Sequence, residues 1–267
     1  MMADVLAARE RIAGRVRRTP LVSSETLSRR LGTTVHLKLE LLQKTGSFKP
    51  RGAFNKLLAA GLAPGSRVVA VSGGNHAQAV AYAARALGLH STIFMPRNTP
   101  ANYLEATREY GAEVVLVDNI AEAFDALAQQ ERQGATAVHP FDDPLVIAGQ
   151  GTVGLEILED LPQATDLVIS IGGGGFISGI LIAGNRTGFP AANACAIASA
   201  PTVSTPQIRI RELMALAAIE IPLMKPPPPM LITRSVAWGR SSKISSPTVP
   251  CPAITSGSSK GCTAVAP

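Results

Sequence analysis

Three short segments carry residue types that could do chemistry, and they lie far apart in the chain. The first is Thr45-Gly46-Ser47-Phe48-Lys49-Pro50-Arg51-Gly52. Pro50 suits the first turn of a helix, so Lys49 stands at a helix start. The positive end of that helix would favour loss of the lysine's proton, and a neutral lysine is what Schiff-base chemistry requires. On local pattern alone, a solvent-facing lysine in a loop is the plainer reading. The second segment is Ser72-Gly73-Gly74-Asn75-His76. Successive backbone N–H groups at such a turn can hold a carboxylate or phosphate, while a glycine-rich connection capped by Ser72 or Asn75 explains the same residues. The third is Gly172-Gly173-Gly174-Gly175. Four glycines carry an entropic cost in the unfolded chain. They make sense where backbone must approach a phosphate closely, and the alternative is a flexible turn. No Gly-Lys-Ser follows, so this is not a Walker loop. Nor does it form a GxGxxG dinucleotide signature followed by the expected acid.

These segments sit at the junctions of a regular pattern. Residues 4–14 have a weak apolar side that suits a short helix. Ser24 caps a helix that Gly32 stops. Residues 34–40 alternate Val35, Leu37 and Leu39 with His36, Lys38 and Glu40, a strand with one covered face. Pro50 opens a helix to Ala60. Strands over 68–71, 91–95, 113–117 and 166–171 then alternate with helices over 76–87, 101–110 and 121–133. A further helix over 145–158 is weakened by Gly149, Gly151 and Gly154. Such alternation means parallel sheet, with ligands gathered beyond the carboxyl ends of the strands. Loops 72–76 and 172–175 both lie there.

The chain has 267 residues, 46% of them hydrophobic, which is enough for a sizeable core. Its net charge of +6 resides wholly in residues 184–267, and residues 1–183 carry 17 charges of each sign. A neutral folded part argues against a nucleic-acid partner. The same tail holds 12 of the 20 prolines, all three cysteines and no aspartate. No strand–helix alternation is expected after residue 184. The tail reads as a disordered Pro/Ser-rich extension, a domain of another kind, or a translation out of the native frame, the last being favoured by the abrupt change of composition. The cysteine spacing matches no zinc pattern and no HExxH occurs, so no metal is expected. No signal peptide and no apolar run of ~20 residues is seen. A cytoplasmic location follows as the default.

Four stretches taken together resemble the threonine/serine dehydratase (threonine ammonia-lyase) branch of the pyridoxal-phosphate enzymes, with the tryptophan-synthase-β-like fold, fold type II. They are LKLELLQKTGSFKPRGAFNKL at 37–57, VSGGNHAQAVAYAA at 71–84, HPFDDPLVIAGQGTVGLEI at 139–157 and ISIGGGGFISGI at 169–180. The resemblance covers roughly residues 5–183. It implies pyridoxal 5′-phosphate as cofactor, held covalently by Lys49, with Lys49 then acting as base and acid at the substrate α-carbon. Phe48 would pack by the cofactor and Asn75 would bond its ring hydroxyl. Ser72, Gly73, Asn75 and His76 would cradle the substrate carboxylate, and Gly172, Gly173, Gly174 and Gly175 would bind the phosphate. The implied reaction is dehydration and deamination of L-threonine or a similar 3-hydroxy amino acid. The implied architecture is two-lobed α/β, with a small lobe of 53–148 and a large lobe of 1–52 plus 149–183. The large lobe would be incomplete at its C-terminal end.

The departures bear on substrate. Leu41 stands where family members often have Asn, and Tyr103 replaces a commonly basic residue. Gly73 stands where serine racemases of this fold carry a second serine, which favours dehydration over racemisation. Other readings are a serine dehydratase or racemase, a dehydratase of the hydroxyectoine pathway, and an inactive truncated or frameshifted remnant. A homo-oligomer is expected if the fold is complete.

Overall fold

The computed structural model describes residues 2–184 and the backbone of residues 194–198. The helices are α1 (Met2–Ile12), α2 (Glu25–Leu31), α3 (Lys49–Ala59), α4 (Asn75–Ala86), α5 (Ala101–Glu109), α6 (Ile120–Arg132), α7 (Pro144–Asp160) and α8 (Gly175–Gly184). The strands are β1 (Leu21–Ser23), β2 (His36–Lys38), β3 (Arg67–Val71), β4 (His90–Pro96), β5 (Glu113–Val117), β6 (Thr136–Ala137), β7 (Leu167–Ile171) and β8 (Ala194–Ala198). Two 3₁₀ turns, Glu40–Leu42 and Lys44–Gly46, lead into α3.

The central sheet runs β5-β4-β3-β6, all parallel, and uses only residues 67–137. β3 is apolar and buried from Val68 to Val71, as a parallel strand covered on both faces must be. Its period of two divides the core. Val68 and Ala70 join Phe54, Leu57, Ala77 and Val80 on one face. Val69 and Val71 join Phe94, Val117, Ala123 and Leu127 on the other. Local chemistry sets the helix starts. The Asn119 side chain accepts from the N–H of Glu122 at α6, and Asp143 accepts from Leu145 and Val146 at α7. Pro144 fills the first turn of α7, where a missing N–H costs nothing.

The glycines of α7 do not weaken it as the sequence suggests. A Cβ on Gly149 would stand 2.4 Å from the Arg51 carbonyl oxygen, and one on Gly151 would stand 2.6 Å from that of Gly179. α7 therefore touches α3 on one side and α8 on the other, backbone against backbone. Each interior glycine costs about 1 kcal/mol of helix propensity, and the close approach offsets it.

The expected strand over 34–40 is shorter and faces the other way. Leu37 is 38% exposed, whereas the Lys38 side chain is 7% exposed and its ammonium bonds Glu156 and the Thr19 carbonyl, each at 2.7 Å. The reason is a buried charge network around Arg51, which is fully buried. Its guanidinium forks onto Glu40 (2.9 and 2.8 Å) and onto Glu156 (2.6 and 3.0 Å). Burial alone would raise the Glu156 carboxyl, but hydrogen bonds and charge from Arg51, then Lys38, hold it below the usual carboxylate range.

No continuing strand–helix alternation is expected after residue 184, yet β8 pairs in parallel with β7, Leu167 opposite Ala194 and Ile171 opposite Ala198. The run Ala-Cys-Ala-Ile-Ala has too little polar–apolar contrast to read as a strand. The other residues of the tail, 185–193 and 199–267, lie outside the described residues.

If backbone contact between α7 and α8 is required, Gly151→Ala should lower the free energy of unfolding by about 1–3 kcal/mol, as overpacking does. Urea titration followed by circular dichroism measures it, and an unchanged midpoint would contradict this packing.

Candidate active site

Lys49 is the first residue of α3, and Pro50 behind it fits the helix start. Its ammonium lies 3.3 Å from the Pro140 carbonyl oxygen and 5.2 Å from the centre of the Phe48 ring. Among the described residues no carboxylate forms an ion pair with it. The side chain is partly buried, and this burial pushes its pKa down from 10.5 to about 8. The alternative of a fully solvent-facing lysine is thereby excluded.

Phe48 stacks on Phe176 with ring centres 3.8 Å apart and planes 11° from parallel. Phe176 is the second residue of α8, so this stack ties the lysine loop to the glycine loop. In that loop three positions demand glycine, one of them Gly175, where a Cβ would stand 2.8 Å from the Phe141 carbonyl oxygen. Gly174 has φ +88°, which favours glycine. A Cβ on Gly173 would fall 2.0 Å from the Phe141 ring. The N–H of Ser178 bonds the Gly174 carbonyl at 3.0 Å, as the helix begins. The N–H groups before it have no intrahelical acceptor and point out of the helix start, where an anion is favoured.

Ser72 follows β3, and its N–H bonds the Phe94 carbonyl at 3.1 Å. Its hydroxyl oxygen accepts from the N–H of Gly74 at 3.1 Å, which leaves the O–H free to donate. Asn75 is exposed at the start of α4, and no side chain caps that helix. His76 turns inward. It is 3% exposed, with Nε2 2.9 Å from the Val138 carbonyl. Burial first, then the charge of Lys49, pushes its pKa down to about 3, so the ring is neutral. Nε2 must donate to the carbonyl, and Nδ1 is a buried acceptor with no partner among the described residues. With its ring turned inward, His76 leaves to the loop its backbone N–H, in the first turn of α4, where such groups lack intrahelical acceptors.

Sequence reasoning gave no role to Pro140 and Phe141, although they connect the site. The carbonyl of Pro140 meets Lys49, and the ring of Phe141 lies on Gly173. The only signal for them was their place in the His139–Asp143 run. Among the described residues no group of three His, Cys, Asp or Glu could hold a metal ion. No helix there is long and apolar enough to cross a membrane.

Residues 12–222 match the profile of the pyridoxal-phosphate dependent enzymes. The chain belongs to that family. The match runs past residue 184, further than the resemblance seen in the sequence. An L-threonine ammonia-lyase of Geobacter sulfurreducens is 51% identical over 185 residues, covering 67% of this chain and 46% of that protein. The chain thus spans about half the length of this curated relative. Among solved structures, a threonine deaminase of T.th. superposes with a TM-score of 0.66 at 42% identity, covering 73% of this chain and 64% of that one. Maize serine racemase superposes with a TM-score of 0.68 at 36% identity, covering 75% and 61%. The fold is accordingly α/β of fold type II. The residues fit the family's cofactor: a partly buried amine able to lose its proton suits an aldehyde, and a glycine cradle at a helix start suits a phosphate.

With its pKa near 8, Lys49 should react with limiting formaldehyde and cyanoborohydride at a rate that rises through pH 8 and levels off above it. Mass spectrometry of the Lys49 peptide reads this. A rate still climbing steeply past pH 10 would show that burial does not act on this amine.

Proposed function

We propose that the chain carries the cofactor-binding part of a dehydratase that converts L-threonine, or a similar 3-hydroxy amino acid, to a 2-oxo acid and ammonia. The observation that carries the reading is a partly buried lysine of lowered basicity, tied through Phe48 and Phe176 to a glycine-lined helix start. Similarity to the threonine ammonia-lyase and the threonine deaminase supports the substrate class. The bound cofactor would supply an electron sink for the charge left when the substrate loses its α-proton.

The protein's own groups divide the remaining work. Lys49 takes and returns protons at Nζ, a task suited to an amine whose pKa lies near the working pH. The backbone N–H groups of 73–76 and the Ser72 hydroxyl hold the substrate carboxylate, and Asn75 supplies an amide beside them. Gly172–Gly175 hold the phosphate, and Phe48 excludes water on one side. Two lobes, 53–148 and 1–52 with 149–183, enclose the substrate, a division supported by the central sheet's confinement to residues 67–137. A cytoplasmic homo-oligomer belongs to the same reading.

A racemase is the second reading, raised by the similarity to the maize enzyme. Gly73 counts against it. A Cβ there would meet the Thr99 hydroxyl oxygen at 2.8 Å, so a side chain at this position requires Thr99 to move.

Supplied with pyridoxal phosphate and L-threonine, the chain should release a 2-oxo acid, detected with a lactate-dehydrogenase-type coupled assay. Lys49→Ala should lower the rate by about 10²–10⁴, the range for a lost acid–base group. Equal rates in both proteins, or inversion of threonine at its α-carbon without release of 2-oxo acid, would refute the dehydratase reading.

A further inference from the structure

Gln150 lies near the middle of α7 with 1% of its surface exposed. Neither the oxygen nor the nitrogen of its carboxamide has a hydrogen-bond partner among the described residues. An amide can donate two bonds and accept two. To leave both ends unpartnered in a protein interior is rare, and such a group calls for an explanation.

Its position supplies one. The Cγ of Gln150 lies 3.3 Å from where a Cβ on Gly52 would stand, and Oε1 lies 3.5 Å from where one on Gly175 would stand. The side chain thus runs from the helix that begins with Lys49 to the first residue of α8. Around it are Gly52, Val146, Ile147 and Gly175, which offer no polar side-chain atoms, and the Phe141 carbonyl oxygen, 2.8 Å from where a Cβ on Gly175 would stand, is an acceptor that the amide does not bond. Its Oε1 lies beside Gly175, the first residue of α8, and the first-turn N–H groups of a helix lack intrahelical acceptors. Two observations therefore meet at one place: the N-terminus of a ten-residue helix, and a buried amide with free hydrogen-bonding capacity beside it.

We propose that Gln150 is a binding residue of the anion site at Gly172–Gly175, adding a side-chain amide to the backbone donors there. Its two ends are equivalent in shape, so a half-turn sets the nitrogen toward an anion and the oxygen toward a helix N–H. An uncharged amide suits this place, since a lysine would add a second charge close to Lys49 and a carboxylate would repel the ligand. The inference rests on the phosphate reading of Gly172–Gly175 given above.

The test compares pyridoxal phosphate with pyridoxal, which has the same aldehyde and ring but no phosphate. Dissociation constants for the full chain come from absorbance titration, and any contribution of Lys49 cancels in their ratio. The unaltered chain should prefer the phosphorylated ligand. Gln150→Leu should weaken pyridoxal phosphate about tenfold, about 1.4 kcal/mol, and leave pyridoxal unchanged. Gln150→Glu should weaken it further. Gln150→Met, of similar length, replaces the leucine variant if that one does not fold. An unchanged ratio, with affinities either intact or lowered equally, overturns the role given to Gln150. Absence of any preference in the unaltered chain instead overturns the phosphate reading itself.

Discussion

The contact of backbone on backbone between α3, α7 and α8 is the constraint on which the site depends. Helices packed through side chains lie roughly 8–10 Å apart. Here Gly149 admits the Arg51 carbonyl, and Gly151 and Gly179 face each other. Gly52 lies against Val146, and Gly175 lies against Ile147 and Gln150. The starts of α3 and α8 therefore converge on the first half of α7. Lys49 stands at one start and the glycine loop leads into the other. The Phe48–Phe176 stack is the result of that convergence.

Two cations near the start of α3 are treated in opposite ways. Arg51 is fully buried and met by two carboxylates, Glu40 and Glu156, and Lys38 shares the second. Its charge is retained, and Asn55 further along the helix bonds the Leu145 carbonyl at 2.6 Å, so α3 is fixed to α7. Among the described residues Lys49 hydrogen-bonds only a carbonyl, and it loses basicity through burial. A guanidinium suits the structural role because it stays charged and bonds in a planar fork, and an amine suits the chemical role because its pKa moves readily. A buried ion pair contributes little net stability. Here it holds Glu40 on Arg51, and Glu156 on Arg51 and Lys38.

The alternation of strands and helices was legible because β3, β4 and β5 are short apolar runs bounded by turn residues. Pro50 marked the start of α3, and the glycine loops marked the ends of β3 and β7. What escaped depended on contacts between distant parts of the chain. Leu37 and Lys38 obey the period of two, but their facing is decided by Glu156, which lies far off in the sequence. Gly149 and Gly151 looked like helix breakers because the carbonyls they accommodate belong to other helices. β8 is a run of small residues with no pattern of its own. Local pattern left Lys49 as a solvent-facing lysine and both glycine loops open to a plainer reading, and only the resemblance carried by all the segments together singled them out. Phe141 and Gln150 were missed because an apolar ring and a neutral amide carry no signal until burial and neighbours are known. His76 stood out through its place in the loop after β3, but the inward turn of its ring toward Val138 could not be read from the sequence.

The central claim is the proposal that the helix packing brings a lysine with no ion pair among the described residues to a glycine loop that holds the cofactor's phosphate. Borohydride reduction in the presence of stoichiometric pyridoxal phosphate, followed by peptide mass spectrometry, tests it directly. A single phosphopyridoxyl group on Lys49, formed in lower yield when excess inorganic phosphate competes, is the result the structure predicts. Label scattered over other lysines such as Lys44 and Lys56, with Lys49 unmodified, would contradict it.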